Sequence, residues 1–169
     1  MKRIKVINDP TDLATFLRAL DTEVKRKVFQ DVLNGWVSAE DIEAKYGKEG
    51  LDALAFFEKM KLVEISWTVD DKAARRVKTY HSYYYSVHVN FSTSLLEFSD
   101  VLYAATMDEE EFKKLEEQIL EGVGDDGIFS GDVARKYNMS ITLLKSLIKR
   151  STRLEMRGHR IQKIREIEG

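Results

Sequence analysis

The chain has no cysteine, which excludes disulfides, thiolate zinc sites and cysteine nucleophiles. It has three histidines, no glycine-rich phosphate loop, and no nucleophile spaced next to a base, so no catalytic role is expected. No cofactor and no metal site are expected either. His81 and His88 are seven residues apart and fall on opposite faces of an extended strand, and the acidic run Asp108–Glu111 already serves as a helix start. No apolar run approaches membrane-spanning length, and the opening MKRIKVIND lacks an apolar signal segment. A cytoplasmic protein without a membrane partner is therefore expected. The single proline, the scarcity of Asn and Gln, and 33% charged residues fit a heat-tolerant source.

What is present is unevenly distributed. At 169 residues and 43% hydrophobic, the chain can bury one good core or two small ones. Its net charge is only −2, yet residues 128–169 carry ten Lys or Arg against four Asp or Glu. Residues 97–127 carry two against eleven, and residues 1–96 fifteen against fourteen. The charge pattern sets a nearly neutral N-terminal domain, 1–96, before a C-terminal domain, 97–169, in which an acidic helix precedes a basic unit.

Taken in order, Ile4 and Val6 alternate with cations as an edge strand would. Asp9-Pro10 starts a helix in which Leu13, Phe16, Leu17 and Leu20 form an apolar stripe, either core or a dimer surface. Thr22 or Asp21 caps a second helix ending at Asn34-Gly35. A short strand, Trp36 to Ser38, then runs into a helix to Tyr46, Gly47 breaks the chain, and a third helix covers 48–61. Val63, Ile65, Trp67 and Val69 share one strand face. After a tip at 70–76 comes a long return strand whose Tyr83, Tyr85, Val87, Val89 and Phe91 read as core. Arg75, Arg76 and Lys78 lie at the tip and the start of that return strand, where they could reach a nucleic-acid backbone. Capping boxes at Ser94–Glu97 and Asp108–Glu111 open two further helices.

The segment 138–153, NMSITLLKSLIKRSTR, puts Leu143, Leu144, Leu147 and Ile148 on one helical stripe. The opposite stripe is Thr142, Lys145, Ser146, Lys149 and Arg153, with Arg150 at its margin. Every member can donate a hydrogen bond and none is acidic, which suits phosphate oxygens and base edges in a major groove. A short helix capped by Ser130 precedes it, and a hairpin turning at Arg157-Gly158 follows, with Arg157, His159 and Arg160 at its tip. This order is that of a helix-turn-helix with a small wing.

The order occurs twice. GWVSAEDIEAKY (35–46) and GIFSGDVARKY (127–137) both read glycine, two apolar residues, serine, then Asp-[Ile/Val]-x-x-Lys-Tyr, differing by one residue in the middle. From each tyrosine to the leucine opening the next strand the intervals are Tyr46 to Leu62 and Tyr137 to Leu154, which differ by one residue. The expected fold is mainly α with small β-hairpins, an α+β chain of two tandem winged helix-turn-helix units. In the first copy the third helix is apolar and mixed in charge, closer to packing than to base reading.

The run 17–29, LRALDTEVKRKVF, the helix from Ser38 to Tyr46, and FEKMKLV (57–63) resemble the ArsR-type winged-helix transcription regulators, particularly archaeal ones, over about residues 13–90. The resemblance implies a homodimer, formed by helices flanking the winged unit, that binds operator DNA at two symmetric half-sites. The family's cysteine metal-sensing motif is absent, and Ala55, Phe56 and Phe57 stand where its reading helix usually shows Ser and His.

These readings lead to a sequence-specific DNA-binding transcription regulator, a homodimer on duplex operator DNA, with Thr142, Lys145, Ser146, Lys149, Arg150, Arg153, Arg157, His159, Arg160, Arg75, Arg76 and Lys78 as contacts. The alternative is a winged-helix interaction module that docks on transcription machinery or another protein. A third reading, RNA or single strands stacking on the tyrosines of 80–85, is the weakest, because strands favour aromatics for packing reasons alone.

Overall fold

The computed structural model describes residues 3–165, and its elements begin where the sequence places capping residues. β1 (Ile4–Ile7) leads to α1 (Pro10–Ala19), where Asp9 Oδ1 accepts from the Thr11 amide at 2.9 Å. α2 (Glu23–Asn34) is capped by Thr22 and closed at Gly35. β2 (Val37–Ser38) runs into α3 (Ala39–Lys59) through a capping box. Ser38 Oγ accepts from Asp41 N at 3.0 Å, and Asp41 Oδ2 accepts from Ser38 N at 3.4 Å. Gly47, at φ 65°, interrupts α3 and splits it into two helices. β3 (Val63–Asp70), β4 (Arg75–Ser82) and β5 (Ser86–Val89) follow. Then come α4 (Leu95–Thr106), α5 (Glu109–Gly122), β6 (Ile128–Phe129), α6 (Ser130–Lys136), α7 (Ile141–Arg150), β7 (Leu154–Arg157) and β8 (Arg160–Lys163). Seven helices with small sheets make the described chain α+β.

The chain forms two compact units. Among the described residues, the first holds those up to Val6 and Ala19–Val89, and the second holds Ile7–Arg18 and those from Asn90 onward. The boundary therefore falls earlier than 96/97, and α1 goes with the second unit. Small residues explain the assignment of α1, because Thr11, Ala14 and Thr15 are buried along it, and Ala14 joins Val101, Ala104, Ala105, Phe112 and Leu147 in one cluster. Leu17, of the larger stripe, stays exposed.

In the first unit Val28, Val32, Ile42, Leu54 and Phe57 are fully buried, with Phe29 and Phe57 edge to face at 5.5 Å. The sheet order is β2-β4-β3, all antiparallel. In the second unit Leu144, Ile148, Leu154 and Ile161 anchor the core, and the sheet order is β6-β8-β7, again antiparallel. The repeat seen in the sequence thus reappears as one strand order used twice. It extends to the backbone, since the residue after each repeat tyrosine, Gly47 or Asn138, has positive φ, 65° and 50°.

Two expectations are corrected here. The long return strand is two strands: β4 stays in the three-stranded sheet, while β5 pairs with β1 alone. Tyr83, Tyr85, Val87 and Val89 are consequently exposed rather than core, because a two-stranded ribbon has no layer packed on it. Ser130 is not a cap. Phe129 holds the N-cap position of α6 without a side-chain bond, and Ser130 is buried, its amide donating to His159 O at 2.8 Å. The residue missing from the second copy removes the offset that lets Ser38 and Asp41 bond reciprocally.

Candidate nucleic-acid interface

α7 begins where its sequence says, with Ser140 Oγ accepting from Leu143 N at 3.0 Å. Its proposed reading face, however, is only partly open to solvent. Ser146 is 0% exposed and its hydroxyl donates to Thr142 O at 2.8 Å. Arg150 is 5% exposed; one guanidinium nitrogen donates to Ala104 O (3.0 Å) and Met107 O (2.8 Å), the other to Glu109 Oε2 (2.9 Å). It lies over the Phe112 ring and satisfies the carbonyls that end α4. Thr142 is half-buried and donates to Glu97.

Lys149, also half-buried, meets the start of α1. Its Nζ lies 2.8 Å from Asp12 Oδ1, 3.4 Å from Asp9 Oδ2, and donates to Thr11 Oγ1 at 2.5 Å. Arg153 stands beyond the end of α7 and bonds Glu117 Oε2 at 2.6 Å, with Glu116 at 3.6 Å. Four of the six side chains therefore turn to different neighbours, Thr142 and Arg150 to α4 and its end, Lys149 to the start of α1 and Arg153 to α5, while Ser146 bonds within α7. Periodicity alone leaves them on an open face, whereas α7 is covered on more than its leucine stripe: α4 packs along it, and the small Ser146 side chain lies buried. Of the cations among them, Lys145 alone keeps no acidic partner among the described residues.

The ionisation of the surrounding acids follows. Burial pushes the Asp9 carboxyl up, but hydrogen bonds from Thr11 and the charge of Lys149 outweigh it and hold Asp9 below the usual range. The hydrogen bond and charge of Arg153 hold Glu117 low, and Glu117 raises Arg153 in return. Bonds from Thr93 and the Ser94 amide, with a lesser one from Thr142, hold Glu97 low.

The two hairpins are open. In the second unit Arg157, His159 and Arg160 are all exposed at the β7–β8 turn. Arg157 bonds Glu155 at 2.9 Å, and Arg160 folds back onto the carbonyls of Asp126 (3.0 Å) and Gly127 (3.1 Å). Gly127 is required there: its φ is 76°, and a Cβ would stand 2.7 Å from Ile161 O. In the first unit Arg75 pairs with Glu40 at 2.5 Å, and Lys78 Nζ reaches both oxygens of Glu58 at 2.9 Å. Burial lowers Lys78, but the bond to Glu58 and the neighbouring Tyr80 and Glu58 charges raise it further. Arg76 is exposed and has no acidic partner among the described residues. The second half of α3 shows Lys48, Glu49, Asp52 and Ala55 to solvent while Phe56 and Phe57 are buried.

Sequence reasoning missed Glu40 and Glu58 as the tethers of the first hairpin, and missed Trp67, which is exposed on β3. The alternation of β3 carried the signal for Trp67, since its apolar face outruns the helices that could cover it. Among the described residues no helix is long and apolar enough to cross a membrane.

Helices closed by small antiparallel sheets, with cationic hairpins left exposed, define an α+β class. The chain belongs to the ArsR transcriptional regulator family, whose model matches residues 7–165, and it is accordingly a transcription regulator. The match runs past the 13–90 stretch of the resemblance and takes in the second repeat. No curated protein and no solved structure matches the chain.

Proposed function

We propose that this regulator is a sequence-specific binder of duplex DNA that acts as a homodimer, each unit being a winged helix. Contact with the phosphate backbone falls to the hairpins: Arg75, Arg76 and Lys78 in the first unit, and Arg157, His159 and Arg160 in the second, with Lys145 beside them on α7. The observation that carries this reading is Arg76, a solvent-facing cation at the tip of a long hairpin in a member of a transcription-regulator family. Dimerisation is assigned to α4 and α1, because Leu95, Leu96, Leu102, Tyr103 and Leu17 form exposed apolar surface on helices of one unit. The test is selection of bound duplexes from a random library, followed by a salt titration and a molar-mass measurement. A shared motif with two half-sites and a steep salt dependence support the reading, whereas recovery of no motif and a monomer of 19.6 kDa contradict it.

A second reading has one observation in its favour. The outward side of α3 offers Glu49, Asp52 and Ala55, which suit a protein partner better than phosphates. It predicts capture of transcription machinery from nuclease-treated extract by a chain with no preference for duplex.

A further inference from the structure

The stripe of α7 with the chemistry of a phosphate-binding face is supplied with acceptors by its own unit. Thr142, Lys145 and Lys149 stand at i, i+3 and i+7, one line along the helix. Thr142 donates to Glu97 Oε1 at 3.4 Å, and Arg153, past the end of the helix, donates to Glu117 Oε2 at 2.6 Å. Lys149 Nζ meets three oxygens, all from the start of α1: Asp12 Oδ1 at 2.8 Å, Asp9 Oδ2 at 3.4 Å and Thr11 Oγ1 at 2.5 Å. An ammonium among three oxygens, two of them anionic, has the surroundings that a phosphate group would give it.

The hold of α1 on this face is more ionic than apolar. Of its buried residues Thr11, Ala14 and Thr15, only Ala14 joins the buried cluster with Val101, Ala104 and Leu147, and Leu13 packs at the cluster's edge. Thr15 Oγ1 is buried without a hydrogen-bond partner among the described residues, so the polar packing is incomplete there. At the far end of the helix Arg18 reaches Glu109 Oε2 at 3.1 Å, an oxygen that also accepts from Arg150. Lys149 is 28% exposed, Asp12 49% and Asp9 53%, so salt and competing anions reach these pairs. The chain joins α1 only to the first unit, at Val6 and Ala19, so its release leaves the second unit continuous from Asn90 onward.

We propose that α1 is an autoinhibitory cover: Asp9 and Asp12 occupy Lys149 in place of a phosphate, and α7 takes up a polyanion only after α1 has let go. The proposal rests on the DNA-binding reading above and adds to it a closed state, in which the hairpins meet the duplex and Lys149 does not. Two carboxylates and a phosphate compete for one ammonium, so α1 release and backbone contact by α7 are linked in both directions. Breaking the contact from its two sides then has unequal results. Neutralising the acids opens α7 with its cation in place, whereas Lys149→Ala removes the lock and the cation together and leaves duplex affinity as in the wild type.

The test uses the full chain, a labelled random-sequence duplex pool, and hydrogen exchange of the α1 amides. Asn caps a helix as well as Asp does, so Asp9→Asn with Asp12→Asn keeps α1 helical and removes both charges. Without duplex, α1 should exchange roughly tenfold faster in this variant than in the wild type, while α5 exchanges at its former rate. With duplex, the variant should bind more tightly, its salt slope steeper by about 0.9 for the one phosphate that Lys149 gains. Adding Lys149→Ala should cancel that gain. Glu121→Gln with Asp125→Asn removes as much charge from acids outside the contact and should leave slope and α1 exchange unaltered. If circular dichroism shows the paired variant misfolded, Asp12→Asn alone carries the same comparison. Faster α1 exchange at an unchanged slope makes α1 a structural brace and overturns the proposal with the DNA-binding reading intact. So does unchanged α1 exchange, a gain that survives Lys149→Ala, or an equal gain in the Glu121/Asp125 control. No duplex binding by the wild type or any variant overturns both.

Discussion

The first and second units use one plan and spend their charges in opposite ways. Both place a short strand, two helices and a hairpin in the same order, with the returning hairpin strand at the centre of the sheet. In the first, the helix after Gly47 shows carboxylates to solvent and the hairpin holds exposed cations, Arg76 among them. In the second, the corresponding helix α7 is rich in cations, yet Lys149, Arg150 and Arg153 are bound to Asp9, Asp12, Glu109, Glu116 and Glu117 of the same unit. A surplus of basic residues along a helix is thus no measure of a nucleic-acid surface until its neighbours are known. In the second unit the surplus over 128–169 is matched by the acidic α5 and by α1, and much of it serves as internal ionic linkage.

The largest effect should come from Arg150. Replacing it with alanine strands the carbonyls of Ala104 and Met107 and leaves Glu109 without this partner, at a cost of roughly 3 kcal/mol. Thermal unfolding should show a lower melting temperature for the second unit, and an unshifted transition would mean that the buried guanidinium is dispensable. Gly127→Ala should cost about 2 kcal/mol or more, since an L-residue would have to hold φ 76° against Ile161 O. Gly47→Ala meets no neighbour in the first unit, so its cost should be the smaller, confined to the backbone conformation.

The caps sharpen the contrast at lower amplitude. Ser38→Ala breaks a reciprocal capping box and should cost about 1 kcal/mol, whereas Ser130→Ala removes no cap bond and should stay within about 0.5 kcal/mol in urea titrations. The smallest effect is in pH. Asp9, Glu97 and Glu117 all have folded-state pKa values below their ordinary ones, so their contribution is present above the usual carboxylate range. It is lost as pH falls through the depressed folded values, so the second unit should weaken progressively below about pH 4. Asp9→Asn should flatten that decline, and a decline of equal steepness would remove the α1–α7 ion pairs from the explanation.

Much of the fold was legible in the chain, because local rules governed it. Asp9-Pro10, Thr22, Ser38, Ser94, Asp108 and Ser140 all start helices, and Gly47 breaks one. The repeat was visible since residue pattern, periodicity and spacing agreed across both copies, although the shared serine caps a helix only in the first. The candidate site was less legible. Whether the side of α7 bearing Ser146 and Arg150 faces water depends on α1 and α4, segments far away in sequence, and periodicity within α7 carries no trace of them. The same limit applied to Tyr83–Val89, where strand alternation gave the pleat but not the absence of a packed layer.

In the mode of binding proposed above, the exposed hairpin cation Arg76, and not the ion-paired Lys149 of α7, contributes to duplex contact. Its most direct test is a salt titration of duplex binding for Arg76→Ala beside Lys149→Ala. The account predicts that Arg76→Ala lowers both affinity and slope, by about 0.9 in the latter, while Lys149→Ala leaves both unchanged and only lowers the melting temperature. A lower slope for Lys149→Ala with an unaltered one for Arg76→Ala would contradict it.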